Sequence, residues 1–260
     1  MSGADAETLL AGRPRGGQSA ATTGATSPDA DPARLHHLIV LSHPGPGSFN
    51  HAVARAYADR VSACGQTPVM RDLYALGFDP VLRSDERAGA PGFRLSPDVE
   101  SELELVRQAS AIVMVYPIWF GMPPAMITGY VDRVLGAGFD ANSMRSGERH
   151  DTVSDKQFVL LTSSGSTKPW LAERGQWQGL REAFDFYLES LFSFADCQHE
   201  HFDAIVSPLS PSYAAHCFER AANLAKQTCA TVLSAAHARR KDARIGSPRS
   251  GAGLIEGGSA

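Results

Sequence analysis

Val113-Met114-Val115-Tyr116-Pro117-Ile118-Trp119-Phe120-Gly121-Met122-Pro123-Pro124 is the stretch whose reading decides the fold. With Ala111-Ile112 before it, the run to Tyr116 is short, apolar and β-branched, the composition of a parallel strand covered by helices on both faces. Prolines 117, 123 and 124 donate no backbone hydrogen bond, so the ladder ends where the chain leaves the sheet. The exit loop therefore stands at the strand's carboxyl end, where open α/β sheets bind ligands. It presents Trp119 and Phe120 beside a glycine. Two such rings either wall a flat aromatic ligand or simply cover the sheet edge, and an isolated aromatic pair more often does the latter.

Upstream, HHLIVLS (residues 36 to 42) predicts a first strand with Leu38 to Leu41 buried. The loop after it, HPGPGSFN (43 to 50), leads through Ser48, a natural N-cap, into a helix marked by Val53, Tyr57 and Val61. The free N–H groups of such a helix start attract phosphate. The loop has neither the G-x-G-x-x-G nor the G-x-x-x-x-G-K-[ST] pattern, so by itself it equally describes an ordinary capped helix entry.

Thr67 to Tyr74 predicts a second strand, and a helix follows from about Pro97 with Val99, Leu103 and Val106 on one face. Downstream of the pivotal strand, Met126 to Leu135 predicts a helix, and residues 136 to 155 a long polar loop or lid. Gln157 to Leu161 is the fourth strand, ending in TSSGS (162 to 166), whose small side chains let amides and hydroxyls reach a ligand or else form a plain polar turn. Leu180, Phe184, Leu188 and Leu191 mark one long helix. A last strand, about Cys197 to Val206, puts His199 and His201 on one face; without a third ligand they are expected to be ordinary sheet residues, and no metal site is expected. The final helix shows Phe218, Ala222, Ala225, Cys229 and Val232 at packing positions.

Five strand-helix repeats joined by right-handed crossovers predict an α/β, flavodoxin-like three-layer αβα sandwich with a five-stranded parallel sheet of order 2-1-3-4-5. In that order the loops after strands 1, 3 and 4 meet at the switch point between strands 1 and 3. A phosphate cradle, an aromatic wall and a set of small hydrogen-bonding groups together suit a flavin.

The 260 residues divide into an Ala/Gly/Ser/Pro-rich extension (1 to 33) and a Gly/Ser-rich tail (239 to 260), both expected to be disordered, around one domain of 34 to 238. A net charge of −4 from intermixed acids and bases implies no nucleic-acid surface. Four scattered cysteines without C-x-x-C spacing, and the lack of a signal peptide, point to reduced thiols in a cytoplasm. The longest apolar candidate, Ala111 to Ile127, is interrupted by three prolines, so no membrane insertion is expected.

In HPGPGSFN, in DLYALGFDPVL (72 to 82), in YPIWFGMPPAMITGYVDRVL (116 to 135) and in LLTSSGS (160 to 166), the sequence resembles the NAD(P)H:quinone oxidoreductase (DT-diaphorase) family and its bacterial quinone-reductase branch. The resemblance covers about Leu35 to Ala236. It implies a flavin, FMN or FAD, with NADH or NADPH as co-substrate and a quinone-like acceptor, azo and nitro compounds being further acceptors of the family. By the same resemblance His43, Ser48, Phe49 and Asn50 hold the flavin phosphate and ribityl region. Pro117, Ile118, Trp119 and Phe120 line its ring, and Thr162, Ser163, Ser164 and Gly165 contact its polar edge. Phe139 and Trp170 fall near the substrate pocket, turnover is ping-pong hydride transfer, and the protein is a homodimer. The sequence departs from the family at Asp140-Ala141-Asn142, where animal relatives place tyrosines, and near Gln176-Trp177, where some relatives have a histidine. A second reading from the same resemblance is a flavin-binding regulatory subunit that docks on a potassium-efflux system.

Overall fold

The computed structural model describes residues 35–147 and 149–245; the expected disordered extension lies outside them, as does the tail beyond 245. Five parallel strands, β1 (His36–Leu41), β2 (Thr67–Asp72), β3 (Ala109–Pro117), β4 (Gln157–Ser163) and β5 (Asp196–Phe202), form one sheet of order β2-β1-β3-β4-β5. The flavodoxin-like sandwich is therefore the observed architecture. Helices α1 (Phe49–Ala63) and α8 (Pro211–Ile245) cover one face, and α2 (Pro97–Gln108) and α3 (Ala125–Tyr130) the other.

The apolar runs of the central strands serve both faces by alternation. In β3, Ile112, Met114 and Tyr116 pack with Val99, Leu103 and Ile127, whereas Val113 and Val115 pack with Val53, Tyr57 and Ala225. In β4, Phe158 and Leu160 face the α2 side, and Val159 and Leu161 the α1 side. Burying each such side chain contributes about 1.5–3 kcal/mol, so a polar substitution on either parity would be severe. Gly129 shows how closely the layers meet: a Cβ there would stand 2.3 Å from the Pro80 carbonyl oxygen.

Several boundaries differ from the sequence expectation. The last strand stops at Phe202, because Ala204 and Ile205 donate to Ser166 and Ser164 carbonyls and bind the 203–206 segment to the loop after β4. The expected long helix over 180–191 is present as one uninterrupted run, α6 (Gln176–Leu180), a π-helical segment (Arg181–Phe186) and α7 (Tyr187–Phe192), preceded by the short α5 (Lys168–Glu173). A second π-helical segment, Val131–Leu135, continues α3. The presumed loop 136–155 contains α4 (Ala141–Ser146), capped by Asp140, which accepts from the Asn142 and Ser143 amides at 2.9 Å each. The last helix runs to Ile245, so residues 239–245 are helical rather than disordered; no glycine or proline interrupts the chain from Ser212 to Ile245. Its buried face includes Cys217 and Ala221, with Ala222 only half-buried. Cys229 is a packing residue as expected, and burial pushes its thiol up to about 12.

Arg133, in the π-helical segment after α3, is 2 % exposed. It donates to both Glu86 carboxylate oxygens (2.9 and 2.7 Å), to Asp98 (2.9 Å) and to the Ser96 hydroxyl (2.8 Å). These bonds hold the long 79–96 connection against the second layer. Arg133 holds the Glu86 carboxyl down at about 2.

Candidate ligand site at the carboxyl edge of the sheet

Where β1 ends, the Ser42 amide donates to the Val115 carbonyl at 2.9 Å; where β3 ends, the Ile118 amide donates to the Ser163 carbonyl at 2.7 Å. The Ser163 hydroxyl then donates to Asn50 Oδ1 at 2.9 Å, tying the end of β4 to the first turn of α1. The His43 ring stands 6.0 Å from the Trp119 ring. The three loops that the sequence singled out are thus sewn together along one edge.

The first of them has the features of an anion cradle. Ser48 has extended backbone (φ −64°, ψ 166°) and caps α1, and the first turn of that helix carries no acidic residue. Gly47 sits at φ +73°, which a residue with a Cβ adopts rarely. His43 Nδ1 lies 3.0 Å from the Gly45 amide and 3.2 Å from the Gly45 carbonyl, so the ring is held by one residue in either tautomer; a Cβ on Gly45 would come within 3.3 Å of the same ring. Burial lowers the His43 pKa, against the opposing pull of the Gly45 carbonyl. Ser48 Oγ also meets His51 Nδ1 at 2.8 Å, and His51 Nε2 reaches Asp72 at 3.0 Å.

Residue by residue, the expected set divides. His43, Ser48, Trp119, Ser163 and Gly165 belong to the loops joined at that edge. Phe49 contributes only backbone, since its ring packs on Phe202 and Phe218 at 5.8 and 5.6 Å between α1 and α8. Asn50 is buried and bonded to Ser163, which makes it a brace for the cradle. Pro117 and Ile118 are buried, the latter in the core cluster of the α2 face.

The Phe120 ring touches no other part of the chain and is fully exposed. Trp119 and Met122 exchange two backbone hydrogen bonds around a tight turn, Phe120 and Gly121 take φ of 53° and 79°, and the phenyl ring projects into solvent. Phe139, expected near a substrate pocket, is a core ring packed 5.2 Å from His150 and 6.1 Å from Phe192. Trp170 is exposed, with the Arg174 guanidinium 4.0 Å above its ring.

Thr162 and Ser164 hold the largest surprise. Strand alternation sends their hydroxyls to the face opposite Ser163, where they meet the β5 histidines. Thr162 Oγ1 lies 2.6 Å from His199 Nε2 and 2.8 Å from His201 Nδ1; Ser164 Oγ lies 3.0 Å from His201 Nε2; His199 Nδ1 lies 2.6 Å from Asp185 Oδ2. The histidines are therefore the centre of a buried polar network and not ordinary sheet residues. Counting parity from Phe158 would have placed Thr162 with His201, its register partner on β5; nothing local to the sequence named Asp185.

A hollow of about 240 Å³ lies at the opposite, amino-terminal edge of the sheet, lined by Arg107, Lys156 and Arg239 among others. Lys156 donates there to the carbonyls of Arg107 (3.2 Å) and Ala109 (2.6 Å), capping the end of α2, and burial lowers its pKa to about 8. A helix carboxyl end repels anions, so the α1 start is the better phosphate site. Among the described residues no helix is long and apolar enough to cross a membrane, and no group of three or more His, Cys, Asp or Glu is placed to hold a metal.

Residues 36–226 match the model of a family described by its flavodoxin-like fold. The chain is 30% identical over 170 residues to an uncharacterised NAD(P)H oxidoreductase of Haemophilus influenzae, a match covering 65% of this chain and 82% of that protein. It is 31% identical over 147 residues to rat NAD(P)H dehydrogenase [quinone] 1, covering 50% of this chain and 53% of the rat protein. Among solved structures, the NAD(P)H:quinone oxidoreductase from Methanothermobacter marburgensis superposes with a TM-score of 0.62 at 26% identity, covering 74% of this chain and 98% of the other.

Proposed function

Since the chain belongs to the family with the flavodoxin-like fold, matched over residues 36–226, we propose that it is a flavin-dependent NAD(P)H:acceptor oxidoreductase that reduces quinones, with FMN or FAD as the bound group. The observation that carries this reading is the joining of three loops on one edge through Ser42–Val115, Ile118–Ser163 and Ser163–Asn50. The names of the Haemophilus, rat and Methanothermobacter proteins support the activity.

The residues present fit a flavin in kind. The amides opening α1 and the Gly45–Gly47 turn would hold its phosphate, with Ser48 and Asn50 shaping that turn. Trp119 and the backbone of 117–118 would lie along the ring, and the amides from Ser163 to Gly165 along its polar edge. When bound, a flavin supplies the hydride chemistry, alternately accepting from NAD(P)H and delivering to the acceptor. The chain's own part is to position, exclude water and manage protons. Exposed Phe120 and Met122 support a pocket completed by a second copy of the chain, and the thiol usage supports a cytoplasmic setting.

The test is to purify the protein, release its chromophore by heat, identify it by mass, and follow NADH and NADPH oxidation with a benzoquinone. Bound FMN or FAD with turnover is the expected result. A colourless protein that takes up neither flavin would overturn the reading, and a yellow protein without turnover would favour the docking role instead.

A further inference from the structure

The buried polar network below the rim is one unbroken line of hydrogen bonds. It runs from Asp185 Oδ2 through His199, Thr162 Oγ1 and His201 to Ser164 Oγ, with successive distances of 2.6, 2.6, 2.8 and 3.0 Å. Every interior member is amphoteric: each imidazole can carry its proton on either nitrogen, and the hydroxyl can point either way. Ser164 has two outlets for its single proton, His201 Nε2 at 3.0 Å and the Ser166 carbonyl at 2.7 Å.

These choices are coupled. If Ser164 donates to His201 Nε2, His201 must donate from Nδ1 to Thr162, Thr162 to His199 Nε2, and His199 from Nδ1 to the Asp185 carboxylate. If Ser164 donates to Ser166, His201 carries its proton on Nε2, Thr162 turns to His201 Nδ1, and His199 must donate from both nitrogens. The second arrangement holds one proton more, and that proton rests on His199.

We propose that Asp185, His199, Thr162, His201 and Ser164 form a proton chain that stores one proton at His199 and exchanges it with the ligand site at Ser164. A proton entering at His201 Nε2 releases the one on Nδ1 to Thr162, and Thr162 passes its own to His199 Nε2. Every bond broken is replaced, and the sum is one proton moved from the rim to an imidazolium facing Asp185.

The surroundings favour this division of roles. Burial, then the neighbouring His199, lowers the His201 pKa to about 3, with Lys168 and Arg220 adding to this and Asp203 opposing it, so His201 stays neutral and only transmits. Asp185 is wholly buried, and its Oδ1 has no hydrogen-bond partner among the described residues. A carboxylate so placed needs compensating charge. Arg181 supplies part of it through Nε at 3.2 Å but is itself partly exposed, which leaves room for a charged His199. The other groups that feel Asp185 are the Tyr116 hydroxyl and the Cys197 thiol, both pushed up by burial first, and Glu189. Trp177 lies 5.0 Å from each histidine ring and shields the line from water.

The part of this that concerns exchange with a reacting ligand rests on the flavin reading; the chain itself does not. The experiment is side-chain ¹⁵N NMR of the histidines, as a function of pH, in the flavin-free protein and in Thr162→Val and Thr162→Ser. In wild type and Thr162→Ser the His199 nitrogens should shift to imidazolium while the His201 tautomer reverses at the same midpoint. In Thr162→Val the two changes should separate. A His201 tautomer that stays constant while wild-type His199 titrates would overturn the proposal, and that measurement decides it even if Thr162→Val does not fold. FMN is then added and reduced. The expected result is conversion of His199 to imidazolium, and bound, reduced FMN that leaves both rings unchanged would overturn the exchange. Failure of FMN to bind would overturn the flavin reading, with the pH titration still deciding the chain.

Discussion

Each π-helical segment among the described residues turns one charged side chain into a buried polar network, and the two networks are finished differently. At Val131–Leu135 the extra residue turns Arg133 inward, where Glu86, Asp98 and Ser96 saturate its guanidinium. At Arg181–Phe186 it turns Asp185 inward, where one oxygen is taken by His199 and Arg181 and the other is left bare. A saturated cluster has a single arrangement and acts as a clamp. A partly satisfied one has two, and can respond to charge. π-Helical turns often mark functional positions, but only the second segment here adjoins the candidate site.

The contrast is broken most directly at Arg133. Arg133→Met strands Glu86 and Asp98, and urea denaturation should show a loss of about 3–5 kcal/mol with flavin content per folded molecule unchanged. A smaller loss would mean the clamp is incidental. Acid should expose the same clamp. The Glu86 pKa lies lower in the folded protein, about 2 against 4.5 unfolded, so the stabilisation is complete above pH 4.5 and lost as pH falls toward 2. The full effect is about 3 kcal/mol; Glu86→Gln should flatten the stability profile in that window. Asp185→Asn keeps an acceptor for His199 and fills the bare position with an amide, so it should cost only about 1 kcal/mol. Its effect should instead be to remove the carboxylate that faces His199 and so uncouple the two histidines, read by ¹⁵N NMR. Asn50→Asp keeps the acceptor for Ser163 at a buried position, where a carboxylate costs more than an amide, so its decisive readout is flavin retention by the folded protein. It places a negative charge in the first turn of α1, so flavin should be lost on gel filtration; full retention would mean the phosphate is held elsewhere.

Much of the candidate site was legible because loop chemistry is local. Ser48 as a cap, prolines ending β3 and small residues after β4 follow from backbone constraints that neighbouring residues impose. The outward direction of the Phe120 ring was not legible, because it follows from two positive φ angles in the turn. Phe139 misled because its partners, His150 and Phe192, lie far along the chain. Residues 239–245 misled because the Gly/Ser-rich composition that begins at Gly246 was extended back over them, although nothing there breaks a helix.

Periodicity and punctuation in the amino-acid order were enough to establish five parallel strands, their order and the edge at which a ligand would sit. Crossover handedness and loop chemistry leave few other ways to bury those apolar runs. The meeting of Asp185, His199, Thr162 and His201 was settled only in three dimensions. It requires β4 and β5 in register, a fixed side-chain parity at Thr162, and a π-helical turn that rotates Asp185 inward. Such contacts join residues 14 to 39 positions apart, and no local pattern records them.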